Sequence, residues 1–246
     1  MNTIKESLRG TNRKTATIVG VLYIVGTIAG IFSLVFTGPI LERSDFLAQV
    51  SANPNQIVMG ALFVLTMGLA LAMVSVMMFP ILRRYNEALA VGYVLFRGAI
   101  EAVIYLALVI GWLSLPLLSQ EYIKASAADA SYFQALGDFV LKAHDQIAHV
   151  LTIVFILGAL MFYYVLYQSK LVPRWLAIWG LLAAIPYFVS GVLGLFSILS
   201  PMSTIQMVLV LPLALQEMVL AIWLIVKGFN SSPVNVALAK VAISQA

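Results

Sequence analysis

The 246-residue chain contains no cysteine, which excludes a disulfide framework, a thiolate metal site and a cysteine nucleophile. Histidine is nearly as scarce. The two present, His144 and His149, are too few for a multi-haem cytochrome. They stand five apart, about 140° around a helix, unlike the i, i+4 histidines of H-E-x-x-H, so no metal site is expected. Charged residues make up only 10% of the chain, against about a quarter in soluble domains. There is no P-loop, no G-x-G-x-x-G, no G-x-S-x-G elbow and no regular arginine series of the voltage-sensor kind. No apolar run carries a lysine near its middle, which argues against a retinal Schiff base. No motif calls for a cofactor.

What the chain has in abundance is apolar surface. Hydrophobic residues reach 62% and the mean hydropathy is +1.02. Six stretches reach the roughly 20 helical residues needed to cross a hydrocarbon core: Thr15 to Phe36, Gln56 to Phe79, Leu89 to Leu118, Ile147 to Tyr167, Trp175 to Leu199 and Met207 to Val226. The expected fold is an all-α bundle of six membrane spans over 15–228, with a short segment at 1–14 and a tail at 229–246. The first apolar run is too long for the core of a secretory signal and no small-x-small cleavage site follows, so it is read as a retained helix.

The formal charge of +4 follows topology rather than nucleic acid. Ten of the fourteen basic residues fall on one side of the expected membrane: Lys5, Arg9, Arg13, Lys14, Arg83, Arg84, Lys170, Arg174, Lys227 and Lys240. Arg43, Lys124 and Lys142 fall on the other, and Arg97 lies within a span. The positive-inside rule then places both termini in the cytoplasm. The expected surroundings are the lipid bilayer, with a secondary attraction to anionic heads.

Short connections at Pro80–Ala88 and Gln168–Arg174 make spans two and three, and four and five, antiparallel neighbours. Pro173 suits the first helical position of span five. A short interfacial helix is expected before Asn53-Pro54, and Ser131 with Gln134 has capping-box spacing ahead of span four. Tyr163, Tyr164, Tyr167, Trp175 and Trp179 cluster at span ends and fit an interfacial belt. Small residues recur four apart at Gly26 and Gly30, Ala29 and Ser33, and Gly98 and Ala102, suited to a bundle interior or a dimer face.

Three ionisable residues deep in apolar sequence stand out: Arg97, Glu101 and Glu217. Each such group at a bilayer centre costs roughly 2.5–3.5 kcal/mol, so they are expected to face one another or a wet cavity. Arg97 and Glu101 are one helical turn apart, and Tyr93 and Tyr105 continue their row. Counting along each helix puts Arg97, Glu217 and Glu101 at about 12, 13 and 18 Å from the cytoplasmic end. A guanidinium fork can serve two carboxylates. The trio is either a structural clamp or, since one cation does not neutralise two carboxylates, a site for a proton or small solute.

A second cluster runs down one face of span four: Asp138, Lys142, Asp145, His149 and Thr152. Asp145 and His149 are the candidates for acid–base catalysis, against a solvated helix face. The strings beginning at Glu101 and Glu217 are loosely similar. Kinship between them would imply an inverted 3+3 repeat.

The chain resembles the bacterial membrane family known as domain of unknown function 4386. The resemblance runs from Arg13 to about Gly228. It rests on Arg13-Lys14-Thr15-Ala16 leading into Gly20, Tyr23 and Gly30, on Phe96-Arg97 with Glu101, on Leu166 to Arg174, and on Glu217 followed by Ala221-Ile222-Trp223-Leu224 and Lys227-Gly228. It implies a helical bundle in the bacterial cytoplasmic membrane with Arg97, Glu101 and Glu217 in the family pattern, and no established activity. The expected function is small-solute or proton-linked binding or transport. The alternatives are a membrane-embedded enzyme using Asp145 and His149, and a non-catalytic partner or sensor.

Overall fold

A computed structural model describes residues 2–200 and 203–230, with side chains from residue 12 onward except at 127 and 128. Lys5, Arg9, Lys240 and most of the 229–246 tail, which entered the orientation reading, lie outside the described side chains. The elements are α1 (Asn2–Leu41), α2 (Phe46–Ala52), α3 (Pro54–Leu82), α4 (Glu87–Tyr93), a π-helical segment (Val94–Ile100), α5 (Glu101–Lys124), α6 (Ala127–Ser169), α7 (Arg174–Leu195) and α8 (Thr204–Val226). Among the described residues there is no strand. Six helices among the described residues are long and apolar enough to cross a membrane, and they are the six spans: Asn12–Leu41, Pro54–Leu82, Glu87–Lys124, Asp129–Ser169, Arg174–Leu195 and Thr204–Val226.

The helix starts are written locally. Asn86, Ser126 and Ser203 each accept a hydrogen bond from the backbone N–H three residues on, at Leu89, Asp129 and Gln206. Such caps satisfy amides that have no partner inside the helix. The cap of span four is therefore Ser126 and not Ser131, which sits a turn inside the helix. Asp129 accepts from the Ser126 hydroxyl at 2.7 Å while its N–H donates back to it, so the two residues pair reciprocally at the helix start. Pro80 likewise lies inside α3, so the connection to span three shrinks to 83–86. Pro173 is the N-cap rather than the first helical residue. Span five ends at Leu195, where Ser197 takes a positive φ of 56° and turns the chain, four residues before the expected Leu199. The short helix expected before Asn53-Pro54 forms as α2.

Each span packs on its neighbours in sequence, and span six returns to pack on span one, so the six helices close a ring. Close approach depends on small residues. A side chain at Gly20 would strike the Ala221 carbonyl of span six, one at Gly26 or Gly30 would press on Leu71 or Met67 of span two, and one at Gly98 would overlap Ser75. The small-residue pairs therefore build contacts inside the chain. The ring is fastened at its basic end by Arg13, whose guanidinium donates to the carbonyls of Ile225 at 2.7 Å and Val226 at 3.1 Å. Those carbonyls end α8 and have no helical partner, and the cation also meets the negative end of the helix dipole. Asn230 closes the same end by donating its side chain to the Lys170 carbonyl at 2.7 Å and its backbone N–H to Leu171 at 2.8 Å.

Of the expected aromatic belt, Trp175 and Tyr164 are exposed. Tyr163 is not part of it. It is 1% exposed, because its hydroxyl finds a partner inside the bundle and its ring fills the space left by Gly180 of span five.

Candidate functional site

The row Tyr93, Arg97, Glu101 and Tyr105 is buried throughout. Arg97 lies inside the π-helical segment, where backbone bonds reach one residue further back; the N–H of Glu101 donates to the Phe96 carbonyl, five residues earlier. A π-bulge of this kind is common at functional sites. Its bulk is accommodated by span four, where a side chain at Gly158 would press on the Arg97 backbone. Nothing in the sequence marks this segment, since its residues suit an ordinary helix equally well.

From there the guanidinium reaches across the ring. Arg97 Nη1 donates to Glu101 Oε1 at 2.6 Å, and Nη2 donates to Glu217 Oε1 of span six at 3.2 Å. Its carbon centre stands 4.2 Å from the centroid of Phe155, a cation–π contact from span four. Arg97 and Glu101 are almost wholly enclosed, while 18% of the Glu217 side chain stays open. The tighter pair is thus the enclosed one within span three, and the looser pair joins span three to span six. Glu101 Oε2 is buried with no hydrogen-bond partner.

The open side of Glu217 faces a cavity of about 160 Å³ to which all six spans contribute. Arg97, Tyr105, Phe155, Tyr187 and Glu217 supply its aromatic and charged walls, and Met67, Leu71 and Leu213 part of its apolar lining. The charges of the cluster also reach buried Tyr23 and Tyr163. Beside it, Gln216 is fully buried; its Oε1 accepts from the Tyr163 hydroxyl at 2.6 Å and its Nε2 donates to the Leu176 carbonyl of span five at 3.0 Å. Gln216 was not singled out in the sequence. An amide in the middle of an apolar span is itself a signal of the same kind as Glu217.

Span four tells a different story. Asp138 and Lys142 are exposed, whereas His149 is 7% exposed. No hydrogen bond or ion pair joins Asp145 to His149, although the two lie within electrostatic reach. The His149 ring packs flat on span five, where a side chain at Gly194 would overlap it, and Thr152 occupies the same position over Gly191. The expected solvated face is therefore split: wet at its outer part, packed against glycines further in. His144 stacks on Trp112 with ring centroids 4.9 Å apart and 6° between planes. Among the described residues, no three His, Asp or Glu side chains are grouped closely enough to hold a metal.

The fold and this interior define a multi-pass membrane protein: six apolar helices closed around a charged and hydrogen-bonded centre. More narrowly, the chain belongs to the family described as Domain of unknown function (DUF4386), which matches residues 18–228. Arg97, Glu101 and Glu217 fall within the match, and the Arg13-Lys14-Thr15-Ala16 string precedes it. No curated protein and no solved structure matches the chain.

Proposed function

We propose that the protein binds, and carries across a membrane, a small solute or protons at the Arg97–Glu101–Glu217 centre. The observation that carries this reading is the cavity against Glu217. A purely structural clamp is best served by dry, fully matched packing, because an ion cluster in low dielectric stabilises only when its partners are complete. Here one guanidinium meets two carboxylates, one carboxylate oxygen lacks a donor, and the looser of the two ion pairs borders open space. Charged groups retained within a span in this way are characteristic of solute and proton pathways.

The site lies in the bacterial cytoplasmic membrane, with both termini cytoplasmic, on this proposal. The ten-to-three distribution of basic residues supports the orientation. Because the chain has no native cysteine, single-cysteine variants test it directly. An impermeant maleimide should label Ser51→Cys and Ser126→Cys from outside and leave Ser231→Cys untouched; the opposite pattern reverses the topology.

The function itself is tested in proteoliposomes with an entrapped pH dye and a panel of small radiolabelled solutes. Protein-dependent flux that is lost in Glu217→Gln supports the reading. Flux equal to that of empty liposomes across the panel, protons included, leaves the cluster as a clamp.

A further inference from the structure

We infer that the cavity beside Glu217 is a binding site for a small organic ammonium ion, whose positive head takes the place of Arg97 on the Glu217 carboxylate. The inference rests on the functional reading above and names the class of solute.

Four observations converge. The first is charge. With Arg97, Glu101 and Glu217 ionised, the cluster carries one negative charge in excess, which a proton or a monovalent cation completes. The second is the inequality of the two ion pairs. Arg97 holds Glu101 at 2.6 Å in full enclosure and holds Glu217 at 3.2 Å where the latter borders the cavity. An incoming cation can therefore take Glu217 and leave Arg97 on Glu101, so that two cations face two carboxylates and none is stranded. The guanidinium also keeps the face of Phe155, which gives it a resting place independent of Glu217.

The third observation is the wall. Tyr105 and Tyr187 present aromatic surface on the cavity, with Leu71, Met67 and Leu213 beside them. Aromatic and aliphatic surface suits an alkylated ammonium, whose charge is spread over carbon and attracted to ring faces. An inorganic cation asks instead for six or so oxygen ligands in the manner of hard metal ions, and the cavity offers a few hydroxyls and one carboxylate. The fourth is size. A cavity of about 160 Å³ is of the order of one that holds a benzene-sized molecule, about 150 Å³, which is room for an ammonium head with a few carbons.

The test is calorimetric titration of the purified protein with tetramethylammonium chloride, against sodium chloride at equal ionic strength and tert-butanol as the neutral analogue. Saturable tetramethylammonium binding is expected, at least tenfold weaker in Glu217→Gln and equally reduced in Ala214→Leu. The second variant fills the cavity from span six and leaves all three charged residues intact, so it speaks even if Glu217→Gln fails to fold. Absence of saturable binding, equal binding of tert-butanol, or full affinity in Ala214→Leu overturns the inference. Competition by free choline alone assigns the ammonium to a soluble molecule. Competition by phosphatidylcholine or phosphatidylethanolamine nanodiscs assigns it to a lipid head. Glu217-dependent proton flux without tetramethylammonium binding refutes the ligand class and leaves the proton-linked function standing, whereas failure of both measurements removes both.

Discussion

Two stretches of this molecule place ionisable side chains inside membrane-spanning helices and treat them in opposite ways. Around Arg97, the charges of spans three and six interlock across the ring, with Phe155 and buried tyrosines closing over them. Along span four, Asp145 and His149 share a helix face without a bond, and the imidazole is held by shape against Gly194. The difference shows that a titratable group in an apolar helix has two routes to stability: a charge partner at the same depth, or a ring packed where a neighbouring helix has no side chain. Only the first creates an electrostatic site.

The largest effect expected from breaking this contrast is at Arg97. Arg97→Met strands two buried carboxylates and should destabilise by about 3–5 kcal/mol, the usual loss when one member of a buried ion cluster is removed. Glu217→Gln alone should cost less, because Arg97 keeps Glu101, and the double variant should lose less than the sum of the two. Thermal unfolding in detergent measures the cycle. Strict additivity would mean that the two side chains do not interact, contrary to their 3.2 Å contact.

Next in size is the glycine pocket. Gly194→Val should destabilise by about 1–3 kcal/mol through overpacking against the His149 ring, and His149→Ala should recover much of that loss by vacating the space. If His149→Ala brings no recovery, packing is not what holds the imidazole. Gln216→Leu belongs to the same range: removing the amide leaves the buried Tyr163 hydroxyl without its acceptor, at about 1–3 kcal/mol for the stranded group.

A smaller effect sharpens the other side of the comparison. Asp145→Asn should change stability by less than about 0.5 kcal/mol, as is usual for a site with no bonded partner, and the NMR titration of His149 should register only a weak through-space influence. A strong coupling between the two would reopen the acid–base reading.

The smallest effect lies outside the spans. Hydrogen bonds from Gln49 at 2.8 Å and Arg43 at 3.0 Å hold the Asp45 carboxyl below the usual aspartate range. A depressed carboxylate contributes stability above its unfolded value of about 3.9 and loses it as the pH falls through the folded one. Asp45 is solvent-exposed, so Asp45→Ala should leave the melting temperature nearly unchanged at neutral pH and remove only a slight acid dependence. A large neutral-pH drop would show that the Arg43–Asp45–Gln49 cluster anchors α2.

Much of the architecture was legible residue by residue. Apolar runs of spanning length announced six helices because a backbone in hydrocarbon must satisfy its hydrogen bonds within the segment. Capping serines three residues before an acid or amide mark helix starts, yet two such serines compete ahead of span four. Ser126 is the residue that follows the chain reversal at Ala125, where the backbone is extended, and Ser131 already lies in the helix. Tyr163 could be assigned to the membrane surface by its place near a span end; its burial depends on Gly180, seventeen positions away on another helix.

The sequence by itself determined that this chain is a bundle of six membrane helices and that Arg97, Glu101 and Glu217 needed company, because the price of a lone charge in an apolar span is a local property of residue and surroundings. Tertiary structure decided which company they found. The closing of the ring from span six to span one, the π-helical segment that aims Arg97 across it, the partnership of Gln216 with Tyr163, and the cavity left beside Glu217 all depend on residues far apart in sequence meeting at one depth. Nearly all-apolar helices carry little directional pattern to say which face meets which neighbour, so those meetings are fixed by the fit of small residues and polar partners between helices, and appear only when the bundle is assembled.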